Sequence, residues 1–311
     1  MTNERIFTGF DERNAALWDR APQRLGHRLH QSELFGMEAL AGLLDACRRE
    51  HYSLVHSGAR TERRDWREGE LGGLSGRQVL EAVSKGPMWI HLLDLPAIDA
   101  RYGAVLDGIF AELKGHMPGF DAFTRKMGLL ISSPGSRTPY HVDLPGMTLW
   151  QLHGSKRFYV YPAAKPFLTP EHVEDIALSG VETTMPYEPW FDEHAQVFDL
   201  EPGQMLHWPL NAPHRVDNHD CLNVSMTLEH FTDGIRREHI VTVANAIMRT
   251  KLGIAPRTHL TTGPSFYAKA VLQKSLRHTR WARGAKRSRR PADFRLDADN
   301  PGSIVELAAA S

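Results

Sequence analysis

The sequence predicts a mainly β protein with α extensions, in which a central antiparallel β sandwich or barrel is flanked by N-terminal α/β elements and C-terminal helices. Three observations carry this. Between 126 and 231, short apolar runs (KMGLLISS, MTLWQLHG, RFYVYP, AQVFDL, QMLHWPL, CLNVSMTLEHF) are separated by Pro, Gly and Asp, the rhythm of strands joined by tight connections. Upstream, apolar residues recur at helical spacing. Beyond 233 helical spacing returns, in VTVANAIMRTKLG and then FYAKAVLQKSLRHTRWARGAKRSRR. We divide the chain accordingly into 1–85, a mixed helical extension, 86–232, the central barrel or sandwich body, and 233–311, a helical region ending in a basic tail.

In chain order, Leu34, Met37, Leu40, Leu44 and Cys47 place an amphipathic helix over 32–50, behind a candidate cap at Ser32. A short apolar run at 52–55 precedes a Gly-rich, charged loop over 57–76, either a lid or a plain surface loop. Ser75 is placed to cap a helix to about 84, MWIHLLDL reads as a buried strand over 88–95, and 98–114 as a further helix.

Composition narrows the function classes. With 311 residues and 41% hydrophobic content the chain can bury one large core. Lys+Arg and Asp+Glu both total 37, so bulk charge argues for neither a nucleic-acid nor a membrane partner. The two cysteines, Cys47 and Cys221, make no disulfide framework and suit a reducing compartment. No apolar stretch approaches a membrane span and the polar start lacks a leader pattern, so the expected location is cytoplasmic. Seventeen histidines justify a search for a metal site.

That search finds TPYHVDL. His141 and Asp143 stand two apart, so on an extended strand both side chains leave one face. In DLEPGQMLHWPLNAPHRVDN, a Pro-Gly turn, an apolar strand and a second Pro-bearing turn lead to His214, which completes two imidazoles and one carboxylate. A set of that kind on one side of an ion leaves the opposite positions open, as non-haem Fe(II) oxygenases require. The competing readings are strand histidines without metal and a zinc site. His207 and His219 compete for the third place; His214 is preferred because Pro213 fixes the backbone before it.

Taken together, T-P-Y-H-V-D, Q-L-H-G-S-K-R-F-Y-V-Y-P and the P-G…A-P-H segment resemble the JmjC/cupin-like Fe(II) and 2-oxoglutarate oxygenases, particularly the asparaginyl hydroxylase branch, over roughly 126–231. The resemblance implies a double-stranded β-helix (jelly-roll/cupin) barrel, Fe(II) held by His141, Asp143 and His214, and 2-oxoglutarate as co-substrate, converted to succinate and CO2. It implies that Lys156 pairs with the distal carboxylate of 2-oxoglutarate and that Thr138 hydrogen-bonds the same group. A buried dianion needs a cation and a hydroxyl to offset its desolvation. Arg157 is the alternative should Lys156 face outward. The Tyr that the family often supplies near 126–132 is absent; Asn223 and Ser225 are the candidates for a further cofactor contact.

Tyr140, Trp150 and Gln151 are candidate substrate contacts, with core packing as the alternative for the aromatics. The segment 169–196 holds Glu171, Glu174, Asp175, Glu182, Glu188, Asp192 and Glu193 without Lys or Arg. It is either a rim favouring a cationic or peptide substrate or a solvated acidic loop. The basic run from Lys269 to Arg290 is read as a nucleic-acid contact, an anionic-surface contact or a solvated helix face. Phe266, Ala270, Val271 and Leu276 could supply a homodimer surface. The leading function is hydroxylation of a protein or peptide side chain or of a small molecule, with demethylation chemically equivalent. The alternative is a non-catalytic metal- or ligand-binding regulator whose tail contacts nucleic acid.

Overall fold

The computed structural model describes residues 5–56, 67–179, 185–276, 279 and 291–307. Its strands are β1 (Phe7–Thr8), β2 (Gln23–His27), β3 (Tyr52–His56), β4 (Arg67–Glu70), β5 (Met88–Leu92), β6 (Phe123–Ser132), β7 (Arg137–His141), β8 (Gly146–His153), β9 (Lys156–Val160), β10 (Gln196–Leu200), β11 (Gln204–His207), β12 (His214–Asn218), β13 (Asn223–Phe231), β14 (Phe294–Leu296) and β15 (Ile304–Glu306). The helices are α1 (Glu12–Leu17), α2 (Met37–Ala46), α3 (Gly76–Lys85), α4 (Leu95–Ile98), α5 (Arg101–His116), α6 (Pro170–Ser179), α7 (Asp233–Lys251) and α8 (Gly263–Leu276).

The strands form two sheets. A mixed eleven-stranded sheet runs β1-β2-β11-β8-β13-β6-β5-β3-β4-β14-β15, and a four-stranded sheet runs β10-β9-β12-β7. The described strands do not close into a single barrel. From β6 to β13 the chain alternates between the sheets except at the β9–β10 connection, so β6, β8, β11 and β13 lie in the large one and β7, β9, β10 and β12 in the small one. The two sheets face each other across a gap, and that gap holds the candidate site.

The large sheet draws strands from both ends of the chain and so crosses both expected domain boundaries. Its outer face packs on α2, α3 and α5 through Leu40, Leu44, Val79, Val83, Ile109 and Phe110, which meet Leu54, Ile90, Leu129 and Ile131 in one buried cluster.

Side-chain caps start α1, α3 and α7. Ser75 accepts from Gln78 N while the Gln78 side chain bonds back to Ser75 N, a capping box that starts α3 as expected. Ser32 caps only a single 3-10 turn, and α2 begins at Met37 after Gly36. The expected loop over 57–76 needs correction at its end, since Arg67–Glu70 is β4, lodged between β3 and β14; 57–66 lie outside the described residues. R-E-G-E carries no apolar alternation. Its pairing is tertiary, because Gly69 makes room for the Phe294 ring, which a Cβ there would meet at 2.3 Å.

The C-terminal helix α8 packs on α7. Phe266 is buried there beneath the Arg237 guanidinium, so this residue is not available to a second subunit, whereas Val271 is exposed. Arg277, Arg280 and the basic residues to Arg290 lie outside the described residues. Among the described residues no helix is long and apolar enough to cross a membrane.

Candidate metal centre and its cavity

His141 ends β7 and His214 opens β12, and the two are cross-strand partners in the small sheet. Their ring centroids lie 4.1 Å apart. Asp143 is not on the strand, as its spacing from His141 suggests, but in the loop between β7 and β8. The loop turns the carboxylate back, so Asp143 Oδ2 stands 3.2 Å from His214 Nε2 and Oδ1 stands 3.9 Å from His141 Nε2. The donor atoms of all three residues fall within 4.8 Å of one another. Donors at ordinary bonding distance from one ion lie about 3 Å apart, so the set closes around a metal with little adjustment.

The chain also fixes which ring nitrogens face inward. His141 Nδ1 donates to the Pro139 carbonyl at 2.7 Å, and His214 Nδ1 donates to the Ala212 carbonyl at 3.0 Å. Each carbonyl lies two residues before its histidine, and each bond turns Nε2 toward Asp143. Phe158 stacks on the His214 ring at 5.3 Å and Trp208 lies 4.8 Å away, which locks its orientation. Burial alone would raise the Asp143 carboxyl, but the imidazoles of His214, His141 and His91 outweigh it and hold the group below the ordinary carboxylate range.

The triad opens onto a cavity of about 210 Å³ between the two sheets. Thr138 and Lys156 line it. In β9, Lys156, Phe158 and Val160 turn inward and Arg157 outward, where Arg157 pairs with Asp199 at 2.8 Å. The strand's alternation thus decides between the two basic candidates. Lys156 is 3% exposed, and among the described residues no carboxylate makes an ion pair with it. Burial lowers its pKa to about 7, with only Cys221 acting in the other direction. A desolvated ammonium without a counter-ion is costly unless a ligand supplies one.

Other candidates are not brought to the cavity. Gln151 is wholly buried, donates through Nε2 to the carbonyls of His153 and Gly154 and to Asn223 Oδ1, and accepts from Ser225 Oγ at 2.7 Å. Asn223 and Ser225 are thereby spent on fixing Gln151, and neither lines the cavity. Trp150 lies in the large-sheet core with its indole N–H on Thr148. Tyr140 does line the cavity, with its hydroxyl donating to the Phe167 carbonyl. His207 stacks on Trp18 and pairs with Asp19, and His219 bonds Ser155, so neither competes with His214.

Three residues of the acidic segment are paired with arginines from outside it. Arg249 of α7 pairs with Glu171 and Glu174, and Arg215 of β12 pairs with Asp192. None of its described residues lines the cavity, and Glu182 lies outside the described residues. Among the lining residues without a sequence signal are Trp89 and His91 on β5 and Thr227 and Glu229 on β13. β5 lies upstream of the strand-rich segment, and a lone Glu in a β13 run otherwise explained by packing gives no reason to look.

No family model matches the sequence, and no curated protein matches it. Among solved structures, the chain is similar to E. coli ycfD, with 15% identity and a TM-score of 0.51 over 88% of this chain and 70% of that one. A further structure of that protein, described as a ribosomal oxygenase in complex with cobalt and 2-oxoglutarate, aligns with 16% identity and a TM-score of 0.46 over 90% of this chain and 72% of that one. At such identity the first likeness establishes a shared fold.

Proposed function

We propose that the protein is an Fe(II)- and 2-oxoglutarate-dependent oxygenase of the JmjC/cupin-like kind, and that β6 to β13 are its double-stranded β-helix in an open form. The observation that carries this is the pairing, within one cavity, of a two-His, one-carboxylate donor set with a buried lysine that has no described carboxylate partner. Hydrolytic or structural metal sites have no use for the lysine. The likeness in fold to a protein described as an oxygenase agrees with the reading.

His141, Asp143 and His214 would hold the iron through Nε2, a carboxylate oxygen and Nε2, leaving its cavity side for ligands. Lys156 and Thr138 would hold the distal carboxylate of 2-oxoglutarate. Bound there, the iron would supply O2 activation coupled to decarboxylation of 2-oxoglutarate to succinate and CO2, the second oxygen atom going to a C–H bond of a protein, peptide or small-molecule substrate. The protein's own work is orientation. The Pro139 and Ala212 carbonyls fix the imidazoles, and Phe158, Trp208, Leu149 and Met147 keep the cavity apolar. The test is succinate release from purified protein given Fe(II), ascorbate and 2-oxoglutarate, with and without cell extract. Release above a His141→Ala control is expected; none above it, with iron loading confirmed, overturns the reading.

A further inference from the structure

Across the cavity from the metal donors, the large sheet presents a second polar group whose assembly depends on one glycine. His91 reaches from β5 over β6 at Gly128. A Cβ at 128 would stand 2.6 Å from His91 Nε2 and 2.8 Å from Thr227 Oγ1, so only bare backbone lets the imidazole and the hydroxyl converge there. Glu229 follows Thr227 by two residues and Trp89 precedes His91 by two, which puts all four side chains on the face toward the small sheet. All four line the cavity.

This group is separated from the lysine end. Asn223, at the start of β13, donates to the Ser155 carbonyl at 2.9 Å and so marks where the backbone at the start of β9 lies. Glu229 is six residues further along the same strand, about 20 Å at the usual strand rise. Asp143 and Glu229 are the carboxylates of the lining, and Asp143 is held by the histidines. A carboxylate has about four acceptor sites, so Glu229 can keep a protein neighbour and still accept from a ligand. Lys126, its cross-strand neighbour, is exposed and outside the lining. The remaining lining there, Met147 and Leu149, is apolar.

Resting on the oxygenase reading, we propose that His91, Thr227, Glu229 and Trp89 form the substrate subsite, and that it takes a side chain or small molecule carrying a protonated nitrogen, an ammonium or guanidinium. Glu229 accepts the N–H groups, Thr227 adds a hydroxyl acceptor, the indole of Trp89 offers a face to the cation, and the apolar lining covers the aliphatic stem. The charges of co-substrate and substrate are thereby sorted to opposite ends of one cavity.

The test uses protein loaded with Mn(II) and two probe pairs: Nα-acetyl-lysine methylamide against its 6-hydroxynorleucine counterpart, and Nα-acetyl-arginine methylamide against its citrulline counterpart. Paramagnetic relaxation of probe protons by the bound Mn(II) reports both affinity and position. In at least one pair the cation is expected to bind about tenfold more tightly than its neutral partner, with Glu229→Gln removing the preference and leaving Mn(II) affinity unchanged. Mn(II) uptake with no cation preference in either pair overturns this proposal alone, as does a preference that survives in Glu229→Gln. No Mn(II) uptake overturns the metal reading and this one with it.

Discussion

The two walls of the cavity are assembled by different routes. On the small-sheet side, Thr138 and His141 come from β7 and Lys156 from β9, with Asp143 on the loop between β7 and β8, and His214 returns on β12 between β7 and β9. On the large-sheet side, Trp89 and His91 come from β5 and Thr227 and Glu229 from β13, with β6 lying between. Of the groups proposed to hold one ion and one small dianion, Thr138, His141, Asp143 and Lys156 fall in one short stretch of chain, and His214 joins them from β12. The facing wall is built from distant parts of the chain, where one residue can change without moving the metal. If this division is real, changes on the two walls separate cleanly in what they affect.

The largest expected effect is on the small-sheet side. Asp143→Ala removes the carboxylate between both imidazoles and should weaken divalent metal binding, measured by calorimetry with Mn(II), by more than about 100-fold. Losing groups that merely orient a ligand already costs roughly 10- to 100-fold. Glu229→Gln should leave that affinity unchanged, and an equal loss in both would abolish the distinction between the walls.

Next is Lys156, where pH sharpens the comparison. In the free protein Lys156 releases its proton near pH 7, since burial lowers its pKa to about 7. A bound carboxylate favours the ammonium and raises that pKa in the complex, so above pH 7 binding must take up a proton. The affinity for 2-oxoglutarate, measured on Mn(II)-loaded protein without oxygen, should be full below pH 7 and fall about tenfold per unit above it. Lys156→Met should bind 2-oxoglutarate weakly, with this step gone, and keep its metal. A wild-type profile that stays flat from pH 6 to 9 would separate Lys156 from the co-substrate.

How much of this was legible in the sequence follows the same division. His141, Asp143 and His214 were readable because ligands of one ion need particular residue types, and Pro213 marks a strand entry. Lys156 is preferred to Arg157 on the resemblance alone; its inward direction follows from the alternation of β9, paired with β10 and β12. Asn223 and Ser225 read as polar groups near the site, yet their partner Gln151 comes from a different strand, so their true use appears only once β8 and β13 are paired. β4, β14 and β15 were not legible, because short strands at the edge of a large sheet take their stability from neighbours and not from their own pattern.

On the large-sheet wall the expected effects are smaller and fall on substrate and stability. Gly128→Ala drives a methyl group against His91 and Thr227 and should destabilise the fold by about 1–3 kcal/mol in urea unfolding. The cation preference of the probe pairs should weaken with it, while Mn(II) affinity stays as in the parent. Unaltered stability would mean that the His91 ring moves aside freely, and the glycine would then not be the reason the two groups converge.

The smallest effect tests residues that stand between the walls. Ser225→Ala strips the donor from Gln151 Oε1 in a fully buried setting. The expected loss is about 1 kcal/mol, at the low end for an orphaned acceptor, because Gln151 Nε2 keeps its bonds to His153, Gly154 and Asn223. The affinity for 2-oxoglutarate should not change. A weaker affinity at unchanged stability would return Ser225 to the co-substrate site, and it would mean that the polar residues of β13 serve the ligand at both ends of the strand, so that the large-sheet wall is not reserved for substrate.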